Sequence, residues 1–214
     1  MRPPGRTTSM FYKPFDHILG TVASMRILRE LSLHGAEMPM SLIVDRTGLS
    51  YPGTQQAMVR LLESGVVEML GSGRSVLYRI NKANILNEGL QNLFLLEQER
   101  VNLVLQQVCE FAADRSPQPV AVWLYGSVAR REDSAGSDVD FMLIIKEEDS
   151  IQDVAESFQD MLLFTSAWSI FPSVVVLYAG DIKEFIKGQP DKWTSLKEDA
   201  ITLFGSTPVE IENG

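Results

Sequence analysis

The sequence predicts an α+β chain of two small domains joined by a long helix. Three observations carry that expectation. Residues 15–83 hold stretches of helical periodicity followed by two strand-like runs around a Gly-rich tip. Residues 84–116 hold one long helical pattern, closed by Pro117 and Pro119. Residues 117–206 alternate apolar runs of strand length with turns and helical segments. With 214 residues and a 45% hydrophobic share, the chain has the material for two cores, and disorder is excluded.

Charge is unevenly shared. Residues 1–90 carry 10 Lys/Arg and 7 Asp/Glu, a net of +3, whereas residues 91–214 carry 9 and 21, a net of -12. The first part can approach nucleic acid; the second repels it unless metal ions intervene. No apolar stretch approaches the roughly 20 residues needed to span a bilayer, and Met1–Arg6 is followed by polar residues rather than a signal-peptide core. A soluble, cytoplasmic protein without a membrane partner is expected. The single cysteine, Cys109, cannot form an internal disulfide, and among Val104, Leu105, Val108 and Phe111 it reads as a helix residue rather than a reactive thiol.

In the first domain, Ile18, Val22, Met25, Ile27, Leu28 and Leu31 recur at helical spacing and stop at His34-Gly35. A second helix fits Ser41 to Arg46 and ends at the turn Thr47-Gly48. Ser50 offers an N-cap and Pro52 is tolerated in the first turn of a third helix, whose Met58, Leu61 and Leu62 share one face. The period then changes to two through Val66–Leu70 and Ser75–Ile80, around the tip Gly71-Ser72-Gly73-Arg74. Three helices and a hairpin with a basic tip resemble the winged helix-turn-helix family over residues 15–83. That resemblance implies a third helix in the DNA major groove, with Tyr51, Thr54, Gln55, Gln56 and Arg60 facing DNA and Arg74 on the wing at phosphate. The same surface also serves a winged helix used for protein contact.

The pattern from Ile85 to Ala113 is a long helix with Leu90, Leu93, Phe94, Val101, Leu103, Leu105 and Val108 apolar. These exceed what one narrow seam needs. Packing on the second domain and pairing with a second copy, giving a homodimer, are the two uses expected for them.

Chemistry concentrates in the second domain. Val120–Tyr125 reads as a buried strand that delivers the chain into Gly126-Ser127, where a glycine lets backbone approach a phosphate and amides at a helix start favour an anion. A polar loop leads to Asp138-Val139-Asp140 and the apolar run Phe141–Ile145. On a strand, residues 138 and 140 project to one face, so two carboxylates sit side by side. Their repulsion is relieved by a hard cation with oxygen ligands, of which Mg²⁺ is the natural choice.

Gly-Ser, ten residues (128–137), then Asp-x-Asp resembles the signature of the polymerase-beta-like nucleotidyltransferase superfamily, over about residues 117–206. The resemblance implies a mixed-sheet fold, nucleotide phosphates held by Gly126 and Ser127 and steadied by Arg130 or Arg131, and two Mg²⁺ ions on the catalytic pair Asp138 and Asp140. It further implies transfer of a nucleoside monophosphate from a nucleoside triphosphate to a hydroxyl, whose bearer is a protein such as a toxin, a nucleic acid or a small molecule. The family places a third carboxylate on a later strand. Here that strand, Ser173–Tyr178, contains no acid; Ser173 stands about where the aspartate would be, and Asp181 and Glu184 lie beyond it. Three readings follow: an Mg²⁺-dependent nucleotidyltransferase with a DNA-binding module, a DNA-binding transcriptional regulator with a catalytically degenerate nucleotide-binding domain, or an interaction scaffold.

Overall fold

The computed structural model describes residues 9–73, 76–168 and 170–213. Its chain divides into two compact units between Glu99 and Arg100.

In the first unit a short helix α1 (Pro14–Ile18) precedes α2 (Val22–His34). The sequence pattern joined the two, but Thr21 interrupts it: its side chain accepts the Ser24 N–H at 3.1 Å and so starts a new helix. Strand β1 (Met38–Pro39) leads into α3 (Met40–Thr47), which ends at Gly48 with φ 64°, a left-handed cap suited to glycine. Helix α4 (Tyr51–Glu63) is capped by Ser50, whose hydroxyl accepts the Gly53 N–H. Strands β2 (Val67–Leu70) and β3 (Leu77–Ile80) form the expected hairpin, and β1 adds to it, giving an antiparallel sheet of order β1-β3-β2. Ile27, Leu28 and Leu31 of α2, Ile43 of α3, and Met58 and Leu61 of α4 are buried together against Val66, Val67 and Ile80.

Helix α5 (Asn87–Asp114) runs 28 residues. Its two halves belong to different cores, which is why the units divide inside it rather than at the proline pair. Leu90 and Phe94 are buried with the first core; Val104, Val108 and Ala112 are buried in the second unit.

The second unit is a four-stranded mixed sheet of order β6-β5-β4-β7, made of β4 (Ala121–Tyr125), β5 (Asp138–Ile145), β6 (Phe171–Tyr178) and β7 (Ile201–Gly205). Strands β4–β5 and β4–β7 pair antiparallel, and β5–β6 pair parallel. Helix α6 (Gly126–Ala129) follows β4 directly. Helix α7 (Ile151–Met161) and a 3₁₀ segment (Leu163–Trp168) connect β5 to β6. A second 3₁₀ turn (Ala179–Asp181), α8 (Ile182–Gly188) and α9 (Pro190–Asp199) lead to β7, and α10 (Pro208–Asn213) closes the described chain.

Both faces of the sheet are covered, so its central strands read as unbroken apolar runs. Val122, Leu124, Phe141, Leu143 and Ile145 face Val108 of α5 and Val154 and Phe158 of α7. Trp123, Met142 and Ile144 face the opposite way, onto Ile182 of α8 and Trp193 and Leu196 of α9. The alternation matters for function, because it assigns Asp138 and Asp140 to the face that α8 and α9 cover. No helix among the described residues is long and apolar enough to cross a membrane.

Candidate functional site

Strand β4 ends at Tyr125, and the chain turns at once through Gly126, whose φ is 78°. Register places Tyr125 opposite Asp140 on β5. At the turn, a Cβ on residue 126 would lie 2.6 Å from the Asp140 Oδ2 and 3.4 Å from its Cγ. Glycine is favoured by the backbone conformation, and a side chain at 126 would also have to displace the Asp140 carboxylate from the space it fills. The first amides of α6, at Gly126 and Ser127, have no carbonyl one turn earlier to bond, so they are available to an anion. Helix α6 starts at Gly126 and is stopped by Arg131, whose φ is 60°.

The loop back to β5 is closed locally. Ser137 donates its N–H to the Ser134 carbonyl at 3.0 Å, and its hydroxyl accepts the Ser134 N–H, also at 3.0 Å. This turn delivers Asp138, exposed, and Asp140, half-buried, to one face at the start of β5. Ser173 is the register partner of Asp140 across the parallel β5–β6 pair, and Phe171 is the partner of Asp138. The position where a third carboxylate would stand thus carries a hydroxyl.

Neither downstream acid replaces it. Asp181 follows Tyr178, five residues along β6 from Ser173; at about 3.3 Å per residue this is about 16 Å toward the other end of the strand. Glu184 lies beyond it, in the first turn of α8. Among the described residues no group of three His, Cys, Asp or Glu side chains could hold a metal ion. The donors at hand are two carboxylates and a hydroxyl, all hard oxygens, beside a glycine kept clear of side chain. That set fits Mg²⁺ completed by water and phosphate oxygens, the mode in which this ion is usually held.

Burial pushes the Tyr125 hydroxyl up to about 12, and the Asp140 charge adds to the effect. The Lys192 Nζ of α9 sits 5.3 Å from the Tyr125 ring centroid. Arg130, at the end of α6, is held by Glu132 at 2.9 Å and by Asp199 of α9 at 3.6 Å. Tyr125, Lys192, Glu132 and Asp199 were not singled out from the sequence. Tyr125 was readable as the last strand residue before Gly126, whereas Lys192 and Asp199 come to the site only through tertiary packing.

In the first unit Tyr51, Gln55 and Gln56 are exposed along α4, and Arg60 is half-buried. Thr54 corrects the sequence expectation. It is fully buried, and its hydroxyl donates to the Ser50 carbonyl at 3.0 Å, so it cannot face DNA. Arg74 lies outside the described residues. Several other arginines of this unit are already engaged: Arg29 with Glu97, Arg46 with Glu30, and Arg79 with Glu37 and Glu68.

Residues 106–173 match the family model described as Polymerase beta, Nucleotidyltransferase. Over these residues the second unit is similar to that family, and the match runs from α5 through the Gly-Ser turn and Asp138-Val139-Asp140 to Ser173. No curated protein matches the chain.

Proposed function

We propose that this chain is an Mg²⁺-dependent nucleotidyltransferase that moves a nucleoside monophosphate from a nucleoside triphosphate to a hydroxyl acceptor, and that its N-terminal unit is a DNA-binding winged helix. One observation carries the first part: Asp138 and Asp140 share a face at the start of β5, and Asp140 packs against a Gly126 that leaves no side chain between carboxylate and turn.

In this reading Asp138 and Asp140 hold the metal ions, which when bound supply charge stabilisation to the phosphoryl oxygens and the leaving pyrophosphate. The amides of Gly126 and Ser127 bind phosphate oxygens and fix the polyphosphate against the turn. Arg130 steadies the polyphosphate only after exchanging Glu132 and Asp199 for it. A toxin or another protein is a suitable bearer of the acceptor hydroxyl.

The register of Ser173 with Asp140 favours a second reading. Without a carboxylate there, the site has no evident group to take the acceptor's proton, and the chain is then a DNA-binding regulator that binds nucleotide without turning it over. Both readings are tested by titrating Mg²⁺-nucleoside triphosphate into the wild-type chain and into a variant carrying Asp138→Asn and Asp140→Asn. Binding that disappears in the variant supports the site, and equal affinity refutes it.

DNA binding is supported by the order helix–strand–helix–helix–hairpin and by exposed Tyr51, Gln55 and Gln56 on α4. The expected band shift weakens steeply as salt rises, because phosphate contacts release counterions. A homodimer is supported by Leu93, Leu96 and Leu103, all exposed on α5, with the last two one heptad apart. Sedimentation at high concentration showing only monomer would exclude it.

A further inference from the structure

Lys192 stands in the first turn of α9, half-buried. Its Nζ lies 5.3 Å from the Tyr125 ring centroid and 5.9 Å from that of Phe185. Among the described residues it forms no ion pair. Three cations of this unit are ion-paired, Arg130 with Glu132 and Asp199, Arg115 with Asp149, and Lys197 with Glu212. Among those without an ion pair, Lys192 is the one set against the Tyr125 ring. Lys192 is instead held by ring faces, which attract an ammonium without neutralising it.

The first of those rings belongs to the residue that precedes Gly126 and faces Asp140 in register. Directly opposite residues of an antiparallel pair project to the same side of the sheet, so Tyr125 shares the face of the two aspartates. The ammonium itself rests near these two rings without an ion pair, so its place is already set and little further rotamer freedom is lost when an anion arrives.

We propose that Lys192 is the binding residue for the polyphosphate of the nucleotide. The inference rests on the nucleotidyltransferase reading and extends it by naming a cation from outside the Gly-Ser and Asp-x-Asp segments. The chemistry it recognises is a chain of phosphates, whether the tail of a nucleoside triphosphate or free pyrophosphate. The competing role is that of a counter-charge to Asp138 and Asp140 in the metal-free chain, and the two roles differ in sign toward the metal. A counter-charge competes with Mg²⁺, so its removal tightens Mg²⁺ binding and leaves phosphate affinity alone. A phosphate anchor does not.

The test is calorimetric titration of the full chain, in Mg²⁺, with a nucleoside triphosphate, with pyrophosphate and with the bare nucleoside. Wild type is compared with Lys192→Met, which keeps an unbranched side chain without the charge, and with Lys192→Arg. Melting curves show that each variant is folded. The expected result is a loss on the order of tenfold to a hundredfold for triphosphate and pyrophosphate in Lys192→Met, no change for the nucleoside, and partial recovery in Lys192→Arg. Wild type that binds with Lys192→Met binding equally well overturns the role of Lys192 alone. Wild type that binds neither triphosphate nor pyrophosphate overturns this inference together with the nucleotidyltransferase reading.

Discussion

Gly126 and Asp140 occupy one space: a Cβ on the glycine would come within 2.6 Å of the carboxylate Oδ2. The turn proposed to receive phosphate and the acid proposed to hold metal thus meet in a single contact between the start of α6 and β5. Gly126→Ala must move Asp140 and also adopt a φ of 78° with a side chain, a strain of about 1–3 kcal/mol. The expected outcome is a folded but less stable protein that has lost Mg²⁺-nucleotide binding. Denaturant melts and nucleotide titration check it, and full retention of affinity would show that the contact does not position the site.

Ser173 lies in register with Asp140 on the parallel neighbour strand. Ser173→Asp should place a third carboxylate on the face of the other two. Like charges directly opposite are destabilising, so the variant is expected to melt lower than wild type without metal and to gain more from added Mg²⁺. If the second reading of function holds, the same change is expected to convert binding into turnover. A melting temperature that responds to Mg²⁺ no more than the wild type's would exclude residue 173 from the metal's surroundings.

How much of this was legible in the sequence depends on how local each relationship is. The Gly-Ser turn and the two aspartates lie within 15 residues, and strand alternation alone puts the acids on one face. Ser173 was readable too, as a position counted along a strand. Lys192 and Asp199 were not, because nothing near them in sequence indicates that α9 packs beside α6. Thr54 was readable and misplaced: it lies four residues before Met58 and seven before Leu61, on the buried stripe of α4. Strand β1, only two residues long, has no periodicity to detect, and only its pairing with Tyr78 and Leu77 defines it.

Tyr125 reports on Asp140 through its titration. Its hydroxyl ionises at about 12 rather than 10.0, first because it is half-buried and second because the Asp140 charge opposes a tyrosinate. The folded value lies above the unfolded one, so this group's contribution to stability is complete below pH 10 and is lost as pH rises toward 12. In metal-free buffer, Asp140→Asn is expected to lower the Tyr125 midpoint without restoring the ordinary value, since burial remains. The difference in tyrosinate absorbance between each protein and its Tyr125→Phe counterpart measures it. A midpoint unmoved by Asp140→Asn would place the two side chains farther apart than their register implies.

The most direct measurement is incubation of the full chain with Mg²⁺ and each α-labelled nucleoside triphosphate, following pyrophosphate release and the passage of label to the protein itself or to a cell lysate. Label transfer is expected, and it vanishes in the variant carrying Asp138→Asn and Asp140→Asn. Transfer that persists in that variant, or wild-type protein that neither binds nor transfers any nucleotide, would contradict the proposed function.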